Sequence, residues 1–212
     1  MQTSHAIPEA RRKTFSEELR EQRWDDHRFY HHHRVNQTLH LISAISFLCT
    51  YVLLFTHPVI GVLFGWTFSM WIRQIGHFFF EPKGFDEINQ ATHEYKESVK
   101  VGFNLRRKVI LLCLWLMTPV VLHFQPTLFG IFKAHTDFQG FLTNLSTLWL
   151  VLAGGALVFR TVHLFFLRGV QSGLVWFTKI LTDPFHDIYM YHKAPLYLAR
   201  GEMLDPMSAA AH

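Results

Sequence analysis

Fifteen histidines in 212 residues are several times what a chain of this length ordinarily carries, and imidazole is the commonest protein ligand for iron, copper and zinc. Their spacing suggests a shared site. His32, Asn36 and His40 stand at i, i+4 and i+8, one face of a helix, and His33 reaches that face seven residues before His40. His77 and Glu81 are four apart. His163 follows Arg160 by three residues, and His186 and His192 lie among Asp183 and Asp187. Each has a plainer reading. Of His31-His32-His33 at most one or two can face inward, and the rest would be solvated. His93 beside Glu94 reads as a loop residue, His27 and His5 as surface residues, and His212 as terminal. Arg73 and Arg160 are either counter-ions for a substrate carboxylate or side chains snorkelling to phosphates. For His40, His77 and Glu81 function is favoured, because an unpaired polar group buried near a membrane costs several kcal/mol.

The elements that must carry these residues follow from composition. Half the residues are hydrophobic, 16% are aromatic and only 17% are charged, against about 25% charged in soluble globular chains. That excludes disorder for most of the length. Cys49 and Cys113 both sit inside apolar runs, which excludes a disulfide scaffold. The fold expected is all-α and polytopic, with about four transmembrane helices and amphipathic segments at both ends. Spans are expected over Leu39 to Phe55, Val59 to Phe80 after the His57-Pro58 break, Val109 to Phe124 with a kink at Pro119, and Phe141 to Leu167. Thr14-Phe15-Ser16-Glu17 fits a capping box opening a polar helix that could run into the first span. The organisation is then a helical segment over 1–35, a transmembrane domain over 36–168 and an interfacial tail over 169–212.

Four spans put both termini and the loop from Glu81 to Lys108 on one side, which holds every Lys and Arg except Lys133. By the positive-inside rule this face is cytoplasmic. The polar start with Arg11, Arg12 and Lys13 lacks the apolar stretch of a signal peptide. The membrane is a bacterial inner membrane or the endoplasmic reticulum. A net charge of +4 then reflects topology and anionic lipid headgroups, not nucleic-acid binding, and no phosphate-binding or dinucleotide glycine pattern is present. The topology sorts His27, His31, His32, His33, His40, His77, His93, His163, His186 and His192 to the cytoplasmic side, and His57, His123 and His135 to the other. One depth is what a metal site in a helix bundle needs.

The stretch His31-His32-His33-Arg34-Val35-Asn36-Gln37-Thr38-Leu39-His40, with spacing H-x4-N-x3-H, and the string Gly76-His77-Phe78-Phe79-Phe80-Glu81 together resemble the membrane 2-hydroxy fatty acid dioxygenase family. The likeness covers about Tyr30 to Glu81. It implies an iron(II)- and O2-dependent α-oxidation that removes one carbon from a 2-hydroxy fatty acid. Carried over, His31, His40 and His77 would be iron ligands or their close support, with Glu81 beside them and Asn36 orienting a ligand.

The leading expectation is a non-haem iron centre at the cytoplasmic interface, held by His31, His40 and His77 and completed by Glu81, His163, His186 or His192, with one or two ions unresolved. Its substrate would be a lipid or fatty acid, with Arg73 and Arg160 as candidate contacts and O2 as co-substrate. Zinc would satisfy the same ligands. One rival is a di-iron fatty acid hydroxylase or desaturase, since His27-x3-His31-His32 resembles one histidine box of that class. Another is a haem carrier, or an accessory subunit of a larger membrane complex; the partners expected are membrane lipids and either further copies in a homo-oligomer or a membrane complex.

Overall fold

The computed structural model describes residues 13–103 and 105–207; His5, Arg11, Arg12 and His212 lie outside them. Among the described residues all regular structure is helical, apart from two isolated β-bridges, His33 with Leu204 and Asp86 with Ala91. Among the described residues three helices are long and apolar enough to cross a membrane: Arg34–Thr56, Arg106–Phe124 and Phe138–Arg168.

Helix α1 (Phe15–Tyr30) opens with the expected capping box: the Thr14 side chain accepts from Glu17 N, and the Glu17 carboxylate accepts from Thr14 N. It does not run into the first span. The chain breaks at His31-His32-His33, and α2 (Arg34–Thr56) starts afresh with His33 as its N-cap, Nδ1 accepting from Val35 N. α2 begins earlier than apolarity alone indicates, because Arg34, Asn36, Gln37 and His40 are buried by the rest of the protein.

The chain reverses at His57-Pro58, with Pro58 at the first turn of α3 (Pro58–Phe64), where a missing N–H costs nothing. A π-helical turn, Gly65–Ser69, leads directly into α4 (Met70–Phe80), so helical backbone is unbroken from Pro58 to Phe80. The π turn lies against α2: Ser43 Oγ donates to Ser69 O at 2.7 Å, and a Cβ on Gly65 would come within 2.8 Å of Thr50 Cγ2. Helix α5 (His93–Val99) sits in the following loop. α6 (Leu105–Phe124) contains Pro119, and α7 (Phe138–Arg168) ends at Gly169, whose φ of +93° suits glycine. α8 (Val170–Tyr191) folds back along α7, α2 and α1, and α9 (Ala194–Ala199) packs on α2. Cys49 and Cys113 are free and exposed.

Candidate metal centre

Three separate backbone segments bring His31, His40 and His77 together. Their ligand atoms all lie within 4.8 Å of one another. Ring centroids are 4.0 Å apart for His31 and His40, 4.9 Å for His40 and His77, and 5.1 Å for His31 and His77. His31 caps the end of α1, His40 lies two turns into α2, and His77 lies one turn from the end of α4.

Each ring is held by a different device. The His31 loop is pinned by α2: Asn36 Nδ2 donates to Tyr30 O and Gln37 Nε2 to His31 O, both at 2.8 Å. The C-terminal segment clamps the same loop, with Asp205 N donating to His32 O and Arg34 Nη1 to Asp205 Oδ2. His77 Nδ1 meets Glu81 Oε2 at 2.9 Å, and Lys100 Nζ lies 3.2 Å from the other oxygen of Glu81. A carboxylate only accepts, so Nδ1 carries the proton and Nε2 keeps its lone pair. His40 is fully buried, with Nδ1 3.5 Å from Asp187 Oδ2. Gly76 makes the approach of α4 to α2 possible, since a Cβ there would overlap Asn36 Oδ1.

Within the cluster, His31 Nε2 and His40 Nε2 are buried without a hydrogen bond, while His40 Nδ1 is the nitrogen set against Asp187. Orphaned buried polar atoms are costly, and two of them on clustered imidazoles fit a divalent metal. Burial, followed by the charge on His40, pushes the His31 imidazole well below its ordinary pKa, and the neutral ring is the ligating form.

Behind the triad runs a buried ion-pair network. Arg73 Nη1 is 2.7 Å from Asp187 and its Nη2 is 3.8 Å from Asp183, while Lys179 bridges Asp183 at 2.9 Å and Asp26 at 2.6 Å. Burial works against ionising Asp26, but Lys179 holds its carboxyl below the usual range. Read from the sequence alone, Asp183 and Asp187 are only companions of His186 and His192. The signal lay in Lys179, Asp183 and Asp187, one charged stripe at i, i+4 and i+8.

The other expected site residues lie elsewhere. His163 Nδ1 is 3.0 Å from Arg160 Nη1, His192 is exposed with Nδ1 2.8 Å from Tyr189 O, and His186 is half-buried on a different face of α8 from Asp187. Burial, then the charge of Arg23, lowers the His186 pKa to about 4. Arg73 is committed to Asp187 and Asp183. Arg160 donates to Val101 O and Gly102 O, bracing the loop after α5. His27, expected at the surface, is 2% exposed and meets Tyr191 Oη at 3.2 Å, because α8 covers that face of α1.

A polar cavity of about 170 Å³ opens beside His77, lined also by Asp26, Tyr30, Arg73, Lys100 and Lys108. Next to it is a larger apolar groove of about 800 Å³ among α4, α6 and α7.

A helical bundle with membrane-length helices and a three-histidine centre at one end defines the class: a candidate membrane metalloprotein. A family model described as 2-hydroxy-palmitic acid dioxygenase Mpo1-like matches residues 18–84, a partial segment that contains Asn36, Glu81 and all three clustered histidines. No curated protein and no solved structure matches the chain.

Proposed function

We propose that the protein is a membrane non-haem iron dioxygenase that shortens a 2-hydroxy fatty acid by one carbon. The observation that carries this is the cluster of His31, His40 and His77, the first two buried with unpartnered nitrogens, lying wholly within the segment that resembles the dioxygenase family. The overall balance is R–CH(OH)–COO⁻ + O2 → R–COO⁻ + CO2 + H2O, in which O2 takes up four electrons from the two terminal carbons. Iron(II), when bound, supplies the activation of O2 that side chains lack.

The chain's own residues hold that site. His31, His40 and His77 are the ligands. Glu81 fixes the tautomer of His77, Lys100 neutralises Glu81, Asp187 faces His40, and Asn36 and Gln37 hold the His31 loop. The acid head enters the polar cavity beside His77. The unbroken helix from Pro58 to Phe80 serves as a fourth span, which puts the triad and both termini at the cytoplasmic face. A single group of three ligands among the described residues favours one ion over two.

The test uses detergent-purified protein loaded with iron(II) without oxygen, then given O2 and 2-hydroxypalmitic acid. One iron per chain, no Soret band and a product one carbon shorter are expected. His77→Ala loses the iron and keeps its helical circular dichroism, whereas His123→Ala and His135→Ala keep both. Two irons point to the hydroxylase or desaturase class, a Soret band to haem, and no iron overturns the reading.

A further inference from the structure

Four cationic side chains line the polar cavity: Arg73, Lys100, Lys108 and Lys179. Three are already neutralised. Arg73 pairs with Asp187, Lys179 with Asp26 and Asp183, and Lys100 with Glu81 and Glu97 while lying 3.8 Å from the Tyr30 ring centre. Lys108 makes no hydrogen bond or ion pair among the described residues and is half-buried, unlike its exposed neighbours Arg106 and Arg107. A lysine at the start of a membrane helix ordinarily snorkels to headgroups; this one turns inward.

Its position is also distinctive. Lys108, Gln74 and Phe103 line both the polar cavity and the apolar groove. Beyond that junction the groove wall is apolar apart from Arg107, with Trp66, Trp115 and Phe159 among its residues. An unpaired cation stands where a polar chamber meets a long apolar channel, and that charge pattern complements a single-chain amphiphile with an anionic head.

We propose that Lys108 receives the carboxylate of a free long-chain acid whose tail lies in the groove among α4, α6 and α7. The identity of the ligand rests on the fatty-acid reading above, while the binding itself does not depend on the metal. A carboxylate on Lys108 lies in the same cavity as His77, so the salt bridge sets which end of the acid faces the triad. Lys108 is thus a specificity-determining residue, separating free acids from esters and from intact membrane lipids.

The experiment measures binding to metal-free protein in detergent, by energy transfer from tryptophan to cis-parinaric acid and to its methyl ester. The free acid is expected to bind at least about tenfold more tightly than the ester, as a charge-assisted contact predicts. Lys108→Gln removes that preference by weakening acid binding, ester binding stays constant, and Lys108→Arg retains the preference. Lysophosphatidylcholine displaces the probe poorly compared with unlabelled palmitic acid. Equal binding of acid and ester by the wild type overturns the proposal, as does an unchanged preference in Lys108→Gln or equal displacement by the lysophospholipid. If Lys108→Gln fails to fold, the wild-type comparison and Lys108→Arg still decide. Iron content and turnover are measured separately, so a Lys108-dependent acid preference without iron or turnover sinks the oxygenase reading and leaves this one standing.

Discussion

Gly76→Ala is the substitution most directly tied to the geometry of the centre. A methyl group at position 76 would overlap Asn36 Oδ1 and lie 3.5 Å from His40 Cδ2, so one of two things must move. If Asn36 swings away, its 2.8 Å bond to Tyr30 O is lost from a fully buried site, at about 1–3 kcal/mol. If α4 backs off instead, on the order of 1 Å of displacement strains a packed helix pair, at about 1–3 kcal/mol, and carries His77 away from His40. Either route therefore costs roughly 1–3 kcal/mol. For a chain of this size that lowers the apparent Tm by roughly 2–12 °C. The assay is a thermal-shift measurement in detergent together with metal content per chain. The double variant Gly76→Ala/Asn36→Ala discriminates further. Removing the Asn36 amide vacates the space the new methyl needs, so the second substitution adds little to Asn36→Ala, a coupling of about 1–3 kcal/mol. A wild-type melting temperature with full metal content in Gly76→Ala, or strictly additive costs, would refute the argument that Gly76 sets the spacing of α2 and α4.

Two further expectations come from the same site. Asp187→Asn leaves Arg73 buried beside a neutral amide, so it should destabilise the protein by about 3–5 kcal/mol and weaken metal binding about 10- to 100-fold through His40. Competition with a chelator reads the affinity and a thermal shift reads the stability; metal affinity equal to the wild type would disconnect Asp187 from the centre. Loading with iron(II) at about 100 times its Kd should stabilise the folded protein by about 2.7 kcal/mol, seen as a higher apparent Tm. That rise should vanish in His77→Ala, and a rise of the same size in the variant would place the metal elsewhere.

What could be read from the residues divides along a physical line. The capping box of α1, the turn at His57-Pro58 and the contact of His77 with Glu81 are local, set by residues within four positions of each other, and local rules suffice for them. The meeting of His40 and His77 reached further, because two motifs at matched depth on an antiparallel helix pair must meet, whereas helical spacing favoured His32 and His33 beside His40 and His31 followed only from the family resemblance. The break between α1 and α2 was not legible, since three consecutive histidines carry no strong stop signal. Least legible was α8. Its aromatic and charged mixture reads as interfacial when taken alone, and only its packing against α2 and α1, more than a hundred residues earlier in the chain, turns Lys179, Asp183 and Asp187 into an internal network.

That network explains how a centre assembled from three backbone segments can stay assembled. Imidazoles with unpartnered buried nitrogens oppose folding, and each would relax by turning toward water or a carbonyl. The structure blocks each escape from a different direction. Asn36 and Gln37 on α2, with Asp205 from the C-terminal segment, hold the backbone on either side of His31. Glu81, countered by Lys100 from the loop after α5, holds His77. Asp187, countered by Arg73 on α4, stands beside His40. Each histidine therefore depends on an element other than its own, and three of the supporting groups lie beyond residues 18–84. The segment that resembles the dioxygenase family supplies all three clustered histidines, but Lys100, Asp187 and Asp205 come from the remainder of the chain, so residues 18–84 by themselves should not hold the triad in this geometry.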